Sequence, residues 1–181
     1  MVRAADTFET WDLQRNKTML DAVRQCKKVA EGKAWSAFML GSTGNGKTHL
    51  AIAAMHVWAD AHDGRGVYFW KVPDLLGELR RRLNEGIGLD IGEALTDTML
   101  SEYRHGDWLL VLDDLGTENP TDWACEKLYQ ILDSRADEQH PTIITSNARV
   151  AQIDGRIRSR FRAGLVACGG EDVRGHEKEK Q

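Results

Sequence analysis

The stretch SAFMLGSTGNGKTHLAIAA, residues 36–54, joins a short apolar run to a glycine-rich loop and then to a helix-forming segment. Residues 41–48 of this stretch fit the pattern G-x-x-x-x-G-K-[ST] at every fixed position. Glycines let backbone amides close around phosphate oxygens, and the helix N-terminus that follows adds free N–H groups and partial positive charge. The stretch therefore predicts a strand–loop–helix unit that holds the phosphates of a nucleotide.

This glycine-rich segment, called the phosphate loop below, supplies most of the candidate nucleotide-binding residues. We expect the Lys47 ammonium to contact the β- and γ-phosphates of ATP and the Thr48 hydroxyl to contact Mg²⁺. The alternative is a glycine-rich turn with an exposed lysine. The residues concerned are Gly41, Ser42, Thr43, Gly44, Asn45, Gly46, Lys47 and Thr48.

A second segment, LLVLDDLG at residues 109–116, runs from four apolar residues straight into two adjacent carboxylates. Two buried carboxylates repel each other and lose hydration, so a positive charge should lie nearby. A Mg²⁺ ion on a triphosphate meets that need, because the ends of parallel strands share one ligand-binding edge. We expect Asp113 to hold Mg²⁺, through water, and Asp114 to orient and polarise the attacking water. The alternative is an acidic turn after a core strand.

Short apolar runs alternate with longer helical segments, which indicates an α/β fold. We predict a three-layer α/β/α architecture with a central, mostly parallel five-stranded sheet. The predicted strands are Trp35–Leu40, Gly66–Lys71, Trp108–Leu112, Thr142–Ser146 and Gly164–Cys168. The predicted helices are Asn16–Glu31, Lys47–His62, Pro73–Asn84, Gly92–Tyr103 and Thr121–Ala136, with Thr121 as an N-cap.

The bulk properties narrow the class of protein. A chain of 181 residues suits one domain, and its net charge of −4 gives no overall nucleic-acid signature. Three widely spaced cysteines form no CxxC pair, which is typical of reduced thiols in the cytoplasm. No apolar run is long enough to cross a membrane, so we expect a cytoplasmic protein with no membrane partner.

Two polar segments follow later in the chain. The strand-like PTIITSN, residues 141–147, ends in Asn147, which could hold the attacking water or the γ-phosphate. The segment RIRSRF, residues 156–161, carries three arginines, and arginine stabilises charge on a transferring phosphoryl group. A solvated basic helix face is the alternative for this segment. The same two interpretations, contact with DNA or a solvated face, apply to Arg80, Arg81 and Arg82.

Taken in order, GSTGNGKTHLA, LLVLDDLGTE, PTIITSN and RIRSRF closely resemble the DnaC/IstB branch of the AAA+ ATPases. That branch contains bacterial and phage helicase loaders and ATPase helpers of transposition. The resemblance extends from about Phe8 to Arg174. It implies a P-loop NTPase domain of AAA+ type over residues 1–174, followed by a mobile charged tail over residues 175–181.

The resemblance also implies roles for individual residues. The segment Phe8–Trp11 is similar to the family's N-terminal segment, which lies against the adenine, and His49 is typical of this branch's nucleotide site. Asn147 resembles the sensor residue, and Arg160 resembles an arginine finger that acts in trans on ATP of a neighbouring subunit. Arg174 resembles the family's closing arginine at the nucleotide. Helices at the position of residues 80–82 contact single-stranded DNA in the family.

These features together predict a slow, assembly-dependent ATPase that uses ATP and Mg²⁺. We expect it to assemble on single-stranded DNA or replication proteins and to load or regulate a replicative helicase. An IstB-like transposition helper, with a transposase as partner, is the alternative within the same branch. Aspartate at position 114, where AAA+ enzymes usually carry glutamate, keeps open an ATP-latched binding module with negligible turnover. A small metabolite kinase is disfavoured by the Thr-Ser-Asn and Ser-Arg-Phe motifs.

Overall fold

The structure, a computed structural model, describes residues 6–11, 17–62, 66–85, 89–116 and 121–169. Five strands and six α-helices alternate along this part of the chain. The strands are β1 (Ser36–Gly41), β2 (Val67–Lys71), β3 (Leu109–Leu115), β4 (Thr142–Ser146) and β5 (Leu165–Cys168). The helices are α1 (Leu20–Ala30), α2 (Lys47–Ala61), α3 (Val72–Glu85), α4 (Leu89–Arg104), α5 (Asp122–Asp137) and α6 (Gly155–Arg160).

The five strands form one sheet in the order β2-β3-β4-β1-β5, and every neighbouring pair is parallel. The predicted α/β class and five-stranded sheet are therefore confirmed. Because all strands run the same way, their carboxyl ends meet at one edge. The ends of β1, β3 and β4 lie side by side there, with Leu40 and Leu115 both in register with Ser146.

Two hydrophobic clusters cover the two faces of the sheet, so the architecture has three layers. Alternate strand residues point to opposite faces: Phe38 and Leu40 of β1 pack with α3–α6, whereas Ala37 and Met39 pack with α1 and α2. The three central strands β1, β3 and β4 are buried on both sides, as parallel strands between helices require, whereas the edge strands β2 and β5 are only partly buried.

The predicted carboxyl end of β3 differs from the structure by three residues. We predicted that the strand ends at Leu112, but it continues through both acidic residues to Leu115. A register shift between Leu112 and Leu115 lets β3 carry the extra residues while it stays paired with β4. The six-residue helix α6 was absent from the predicted set, because so short a segment has no helical periodicity to detect.

The other helices match the predictions to within a few residues at each end. Thr121 caps α5 as predicted, since its hydroxyl accepts a hydrogen bond from the Ala124 N–H at 3.2 Å. Asn16, Arg174 and the tail over residues 175–181 lie outside the described residues. Among the helices of the described part, none is both long and apolar enough to cross a membrane.

Candidate nucleotide site

The phosphate loop closes tightly around its own lysine. Gly44 and Gly46 have φ values of +78° and +94°, which side-chain-bearing residues rarely adopt. The Lys47 side chain is buried, and its ammonium donates to the carbonyls of Gly41 (2.8 Å) and Ser42 (2.7 Å) and to Asn45 Oδ1 (3.1 Å). A lysine held by carbonyl oxygens inside a ring of backbone amides is suited to exchange those oxygens for phosphate oxygens.

The strand β5 fixes the loop from the other side. The Asn45 amide donates to the Cys168 carbonyl at 3.0 Å, and Asn45 is fully buried. A Cβ atom placed on Gly41 would lie 1.9 Å from the same carbonyl, so glycine is required there. The predicted loop residue Asn45 therefore positions the backbone of the loop, and the pattern, in which this position is unspecified, did not predict that role.

Asp113 lies next to the first turn of α2. Its Oδ1 accepts hydrogen bonds from the hydroxyls of Thr48 (2.9 Å) and Thr145 (2.7 Å). Burial raises the pKa of the Asp113 carboxyl, and the neighbouring Asp114 charge adds to this, although the two hydroxyls oppose it. The structure thus brings together the two residues that were predicted to serve Mg²⁺, Thr48 and Asp113.

The donor set at this point suits Mg²⁺. A hydroxyl and a carboxylate oxygen 2.9 Å apart are hard oxygen ligands, and Mg²⁺ sites commonly combine one or two carboxylates with waters and substrate phosphates. Within the described residues, no group of three or more His, Cys, Asp or Glu side chains could hold a metal ion by itself. Thr48 and Asp113 therefore fit a metal that arrives with a nucleotide.

Asp114 has an unusual backbone, with φ of +62°. Its N–H donates to Thr145 Oγ1 at 3.0 Å, and its Oδ1 accepts from the Asn147 amide at 2.9 Å. A residue in the left-handed region at a strand end turns its side chain away from the regular alternation. The carboxylates of the two acidic residues, which the sequence places side by side, therefore have different hydrogen-bond partners.

Asn147 was predicted to hold water or the γ-phosphate, and in the structure its amide holds Asp114. The neighbouring Ser146 hydroxyl donates to the Leu115 carbonyl at 2.6 Å and accepts from the Ala148 N–H at 3.0 Å. Thr145, Ser146 and Asn147 therefore bind three successive residues of β3. The sequence showed a polar trio after a strand, but only strand pairing reveals that all three face the acidic segment.

The N-terminal segment Asp6–Trp11 lies against the phosphate loop. His49 Nε2 is 2.8 Å from the Thr7 carbonyl, and His49 Nδ1 is 3.3 Å from the Asp6 carboxylate. The Trp11 ring meets the His49 ring edge-on at 5.2 Å, and a Cβ on Gly46 would lie 2.0 Å from the Trp11 ring. His49, predicted to bind nucleotide, thus contacts Asp6, Thr7 and Trp11, of which Trp11 belongs to the Phe8–Trp11 segment predicted to lie against the adenine.

Arg160 lies on α6, away from the carboxyl edge. Among the described residues its ion-pair partners are on α5: Asp133, at 2.6 Å, and Asp137. Arg156, one turn earlier, lies 4.2 Å above the Tyr129 ring. The structure therefore does not bring Arg160 to its own phosphate loop. Arg174 lies outside the described residues.

Two of the three arginines of α3 share one partner, and the third contacts an aromatic ring. Arg81 and Arg82 both donate to Glu78, at 2.6–2.7 Å and 2.9 Å, and these hydrogen bonds lower the pKa of Glu78 to about 2. Arg80 lies 5.1 Å above the ring of Trp123. As predicted from helical spacing, the three do not share one face.

Comparison with known proteins places the chain in a family. A family model described as IstB-like ATP binding protein matches residues 3–159. Among curated proteins, the chromosomal replication initiator DnaA of Deinococcus deserti is 28% identical over 165 residues, which are 88% of this chain. The match covers 34% of that protein, so the chain spans about a third of its length. The Deinococcus radiodurans DnaA is 25% identical over a similar range.

Solved structures share the fold. A DnaA structure bound to AMPPCP and single-stranded DNA superimposes with a TM-score of 0.76 at 22% identity, covering 94% of this chain and 52% of that one. A DnaC helicase loader gives a TM-score of 0.73 at 23% identity, covering 92% of this chain and 98% of that one. The predicted DnaC/IstB-like AAA+ resemblance is confirmed. The chain belongs to the IstB-like ATP-binding proteins, and it shares its fold with DnaA replication initiators and with a DnaC helicase loader.

Proposed function

We propose that this protein hydrolyses ATP with Mg²⁺ at subunit interfaces and uses the cycle to load or regulate a replicative helicase on single-stranded DNA. One observation carries the proposal. A continuous hydrogen-bond network connects Thr48, Asp113, Thr145, Asp114 and Asn147 beside the phosphate loop. A purely structural strand end has no need of two carboxylates at its tip, since burying them costs free energy.

The phosphate loop and the residues of the network would each have a separate part in hydrolysis. Lys47 and the loop amides would bind the phosphates, and Thr48 and Asp113, the latter through water, would hold a Mg²⁺ ion that neutralises phosphate charge. Asp114 would orient the attacking water and accept its proton. Asn147 fixes the Asp114 carboxylate through the hydrogen bond at 2.9 Å. Aspartate is shorter than the glutamate usual in AAA+ enzymes, which favours slow turnover.

Arg160 completes the site of a neighbouring chain in this proposal. Its side chain is 40% exposed and its ion-pair partners lie on its own α5. An exposed guanidinium remote from its own phosphate loop can stabilise transferring phosphate only in another chain. Assembly then becomes a condition for turnover.

The relatives support a role in replication. The matched proteins include replication initiators, and the similar folds include a helicase loader and DnaI. One similar structure holds single-stranded DNA. A transposition helper remains the competing role, because the matching family takes its name from IstB. A preference for a replicative helicase over a transposase in a pull-down with the purified partners separates the two.

The phosphate-loop assignment is tested by Lys47→Ala. We expect loss of tight ATP binding in calorimetry, because the phosphates lose their buried cation. Lys33→Ala is the matched control, since Lys33 is an exposed lysine paired with Glu31 at 2.6 Å. Micromolar ATP binding by Lys47→Ala would contradict the assignment.

The action of Arg160 in trans is tested by mixing two inactive variants. Asp114→Asn lacks the water-orienting carboxylate but keeps Arg160, whereas Arg160→Ala keeps an intact network. Each alone should be inactive, and the mixture should recover turnover at interfaces that combine one intact site with one intact Arg160. Arg156→Ala, on the exposed face of the same helix, is the control and should remain active. A mixture that stays inactive would contradict action in trans.

Contact with single-stranded DNA is tested on α3. Arg80 is the best placed of its three arginines, because Arg81 and Arg82 are bound by Glu78 while Arg80 lies on an aromatic ring. Arg80→Ala should weaken DNA binding and reduce its salt dependence. Arg24→Ala, an exposed arginine on α1, should change neither. Equal DNA affinities for the wild type, Arg80→Ala and Arg24→Ala would mean that Arg80 belongs to a solvated helix face and does not contact DNA.

A further inference from the structure

Thr145 occupies a position between the two acidic residues that no sequence motif assigned to it. It is the fourth residue of β4 and is fully buried. Its hydroxyl donates to Asp113 Oδ1 at 2.7 Å and accepts from the Asp114 N–H at 3.0 Å. One oxygen atom therefore joins the side chain of one acidic residue to the backbone of the next.

The donor and the acceptor of each of these hydrogen bonds follow from the groups involved. A hydroxyl has one hydrogen to donate, and a backbone N–H can only donate. Because the Asp114 N–H occupies a lone pair of the Thr145 oxygen, the hydroxyl hydrogen is free to point at Asp113. Asp113 Oδ1 also receives the Thr48 hydroxyl, so two donors orient the same carboxylate oxygen. Such outer partners commonly fix the orientation of metal-binding carboxylates.

The backbone of Asp114 needs this support. Its φ of +62° is costly for a residue with a side chain, by about 1–3 kcal/mol, and such conformations persist only where the surroundings enforce them. The pairing of β3 with β4 is irregular between Leu112 and Leu115, where Asp114 lies. The Thr145 oxygen accepts the Asp114 N–H within this irregular stretch. The hydroxyl therefore sets both the direction of Asp113 and the turn that aims Asp114.

We propose that Thr145 is a positioning residue for ATP turnover, whose single hydroxyl fixes the metal-binding Asp113 and the water-orienting Asp114 relative to each other. The inference rests on the proposed function of this site, and it adds a residue that touches neither nucleotide nor metal. It predicts that turnover depends on the hydroxyl of Thr145 and not on its methyl group.

The chain offers a matched control on the same strand. Thr142, at the amino end of β4, is also fully buried, and its hydroxyl also makes two hydrogen bonds, from Arg135 (2.9 Å) and to the His140 carbonyl (2.8 Å). Thr→Val at either position removes one buried hydroxyl and keeps the side-chain shape. Both variants therefore lose one buried hydroxyl with two hydrogen bonds and should have a similar loss of stability. They differ only in whether the hydroxyl is lost at the amino or the carboxyl end of β4.

The experiment compares Thr145→Val, Thr145→Ser and Thr142→Val in two assays on the full chain. The first is turnover at saturating ATP, and Thr145→Val should lose about 10- to 100-fold with little change in KM. The second is the gain in ATP affinity on adding Mg²⁺, which Thr145→Val should lose while its affinity in EDTA stays within about twofold. Thr145→Ser and Thr142→Val should resemble the wild type in both assays.

Two outcomes would overturn the inference. One is wild-type turnover and wild-type Mg²⁺ dependence in Thr145→Val. The other is equal loss in Thr142→Val, which would make the effect one of general stability. If Thr145→Val does not fold, loss of Mg²⁺ dependence in Thr145→Ser overturns the inference, because serine retains the hydroxyl. Absence of turnover in the wild type would instead contradict the proposed function, and the Mg²⁺ assay would still decide the role of Thr145.

Discussion

Each end of β4 carries a threonine whose hydroxyl contacts a buried charged side chain, a cation at the amino end and an anion at the carboxyl end. At the amino end, the Thr142 hydroxyl accepts from the buried guanidinium of Arg135; at the carboxyl end, the Thr145 hydroxyl donates to the buried carboxylate of Asp113. Arg135 also donates to the carbonyls of Tyr103, Trp108 and Pro141, at 2.7–3.0 Å. Asp113 instead has hydroxyl donors, one of them on the phosphate-loop helix.

We interpret the Arg135 guanidinium as a structural charge and propose that the Asp113 carboxylate is a functional one. The carbonyls around Arg135 belong to three separate segments, which the guanidinium ties together at the base of the sheet. Burial lowers the pKa of Arg135 to about 10, so the group is still protonated at neutral pH. Around Asp113, burial raises the pKa, and the neighbouring acidic residue adds to the cost. A site that tolerates this cost is prepared for an arriving cation.

The largest effect should follow from Arg135→Met, which keeps the volume and removes the donors. Several buried carbonyls lose their partner, and each such group costs about 1–3 kcal/mol. We expect the free energy of unfolding in urea to fall by about 3 kcal/mol or more. ATP affinity of the folded protein should stay unchanged, because Arg135 lies at the opposite edge. A loss below about 1 kcal/mol would contradict the structural role.

A smaller effect on stability, with a large effect on binding, is expected from Gly46→Ala. The new methyl group would meet the Trp11 ring at 2.0 Å and would require φ of +94°. We expect at least about a tenfold loss of ATP affinity in calorimetry, since the loop must shift to accommodate the methyl group. Gly32→Ala is the control: its φ is +68° but its Cβ meets nothing within 4 Å. Equal ATP affinities in both variants would show that Trp11 does not constrain the loop.

The smallest change in stability, and one of opposite sign, is expected for Asp113→Asn. Because burial raises the pKa of Asp113 above its ordinary value of 3.8, the folded state favours the protonated form. This contribution to stability is complete below pH 3.8 and is lost as the pH rises through the folded-state pKa. Asp113→Asn should therefore have a higher free energy of unfolding than the wild type at neutral pH, and it should lose its Mg²⁺-dependent ATP affinity.

The measurement for this variant is the free energy of unfolding from acid to neutral pH. The difference in free energy of unfolding between Asp113→Asn and the wild type should grow with pH, because only the wild type has an ionising carboxyl group at position 113. A variant less stable than the wild type at neutral pH would mean that the carboxylate is already well compensated.

Much of this arrangement could be predicted from the sequence. The phosphate loop follows from a fixed pattern, and the buried strands follow from apolar runs bounded by turn residues. Asp113, Asp114 and Asn147 were predicted at one edge because parallel strands end together. The left-handed backbone of Asp114 was not predicted, since it depends on a bulge that only strand pairing creates.

Residues that act across the sheet were the ones that sequence could not identify. Thr145 and Thr142 look alike in the segment PTIITSN, and their different partners depend on which helix and strand lie beside each end. Arg135 has the helical spacing of the buried residues Leu128 and Ile131 of α5, but a charged residue type does not indicate burial; in the structure it is fully buried and donates to three backbone carbonyls. Asn45 occupies an unspecified position of the loop pattern, and its bond to β5 depends on strand order.

The most direct test of the account is ATP turnover per chain against total protein concentration, with Mg²⁺ and with or without single-stranded DNA. Asp114→Asn provides the baseline. If the site is shared between chains, the rate per chain should rise with protein concentration, rise further on DNA, and fall to the baseline in Arg160→Ala. A rate that is independent of concentration would contradict the shared site. A wild-type rate no higher than that of Asp114→Asn would contradict turnover at the carboxyl end of the sheet.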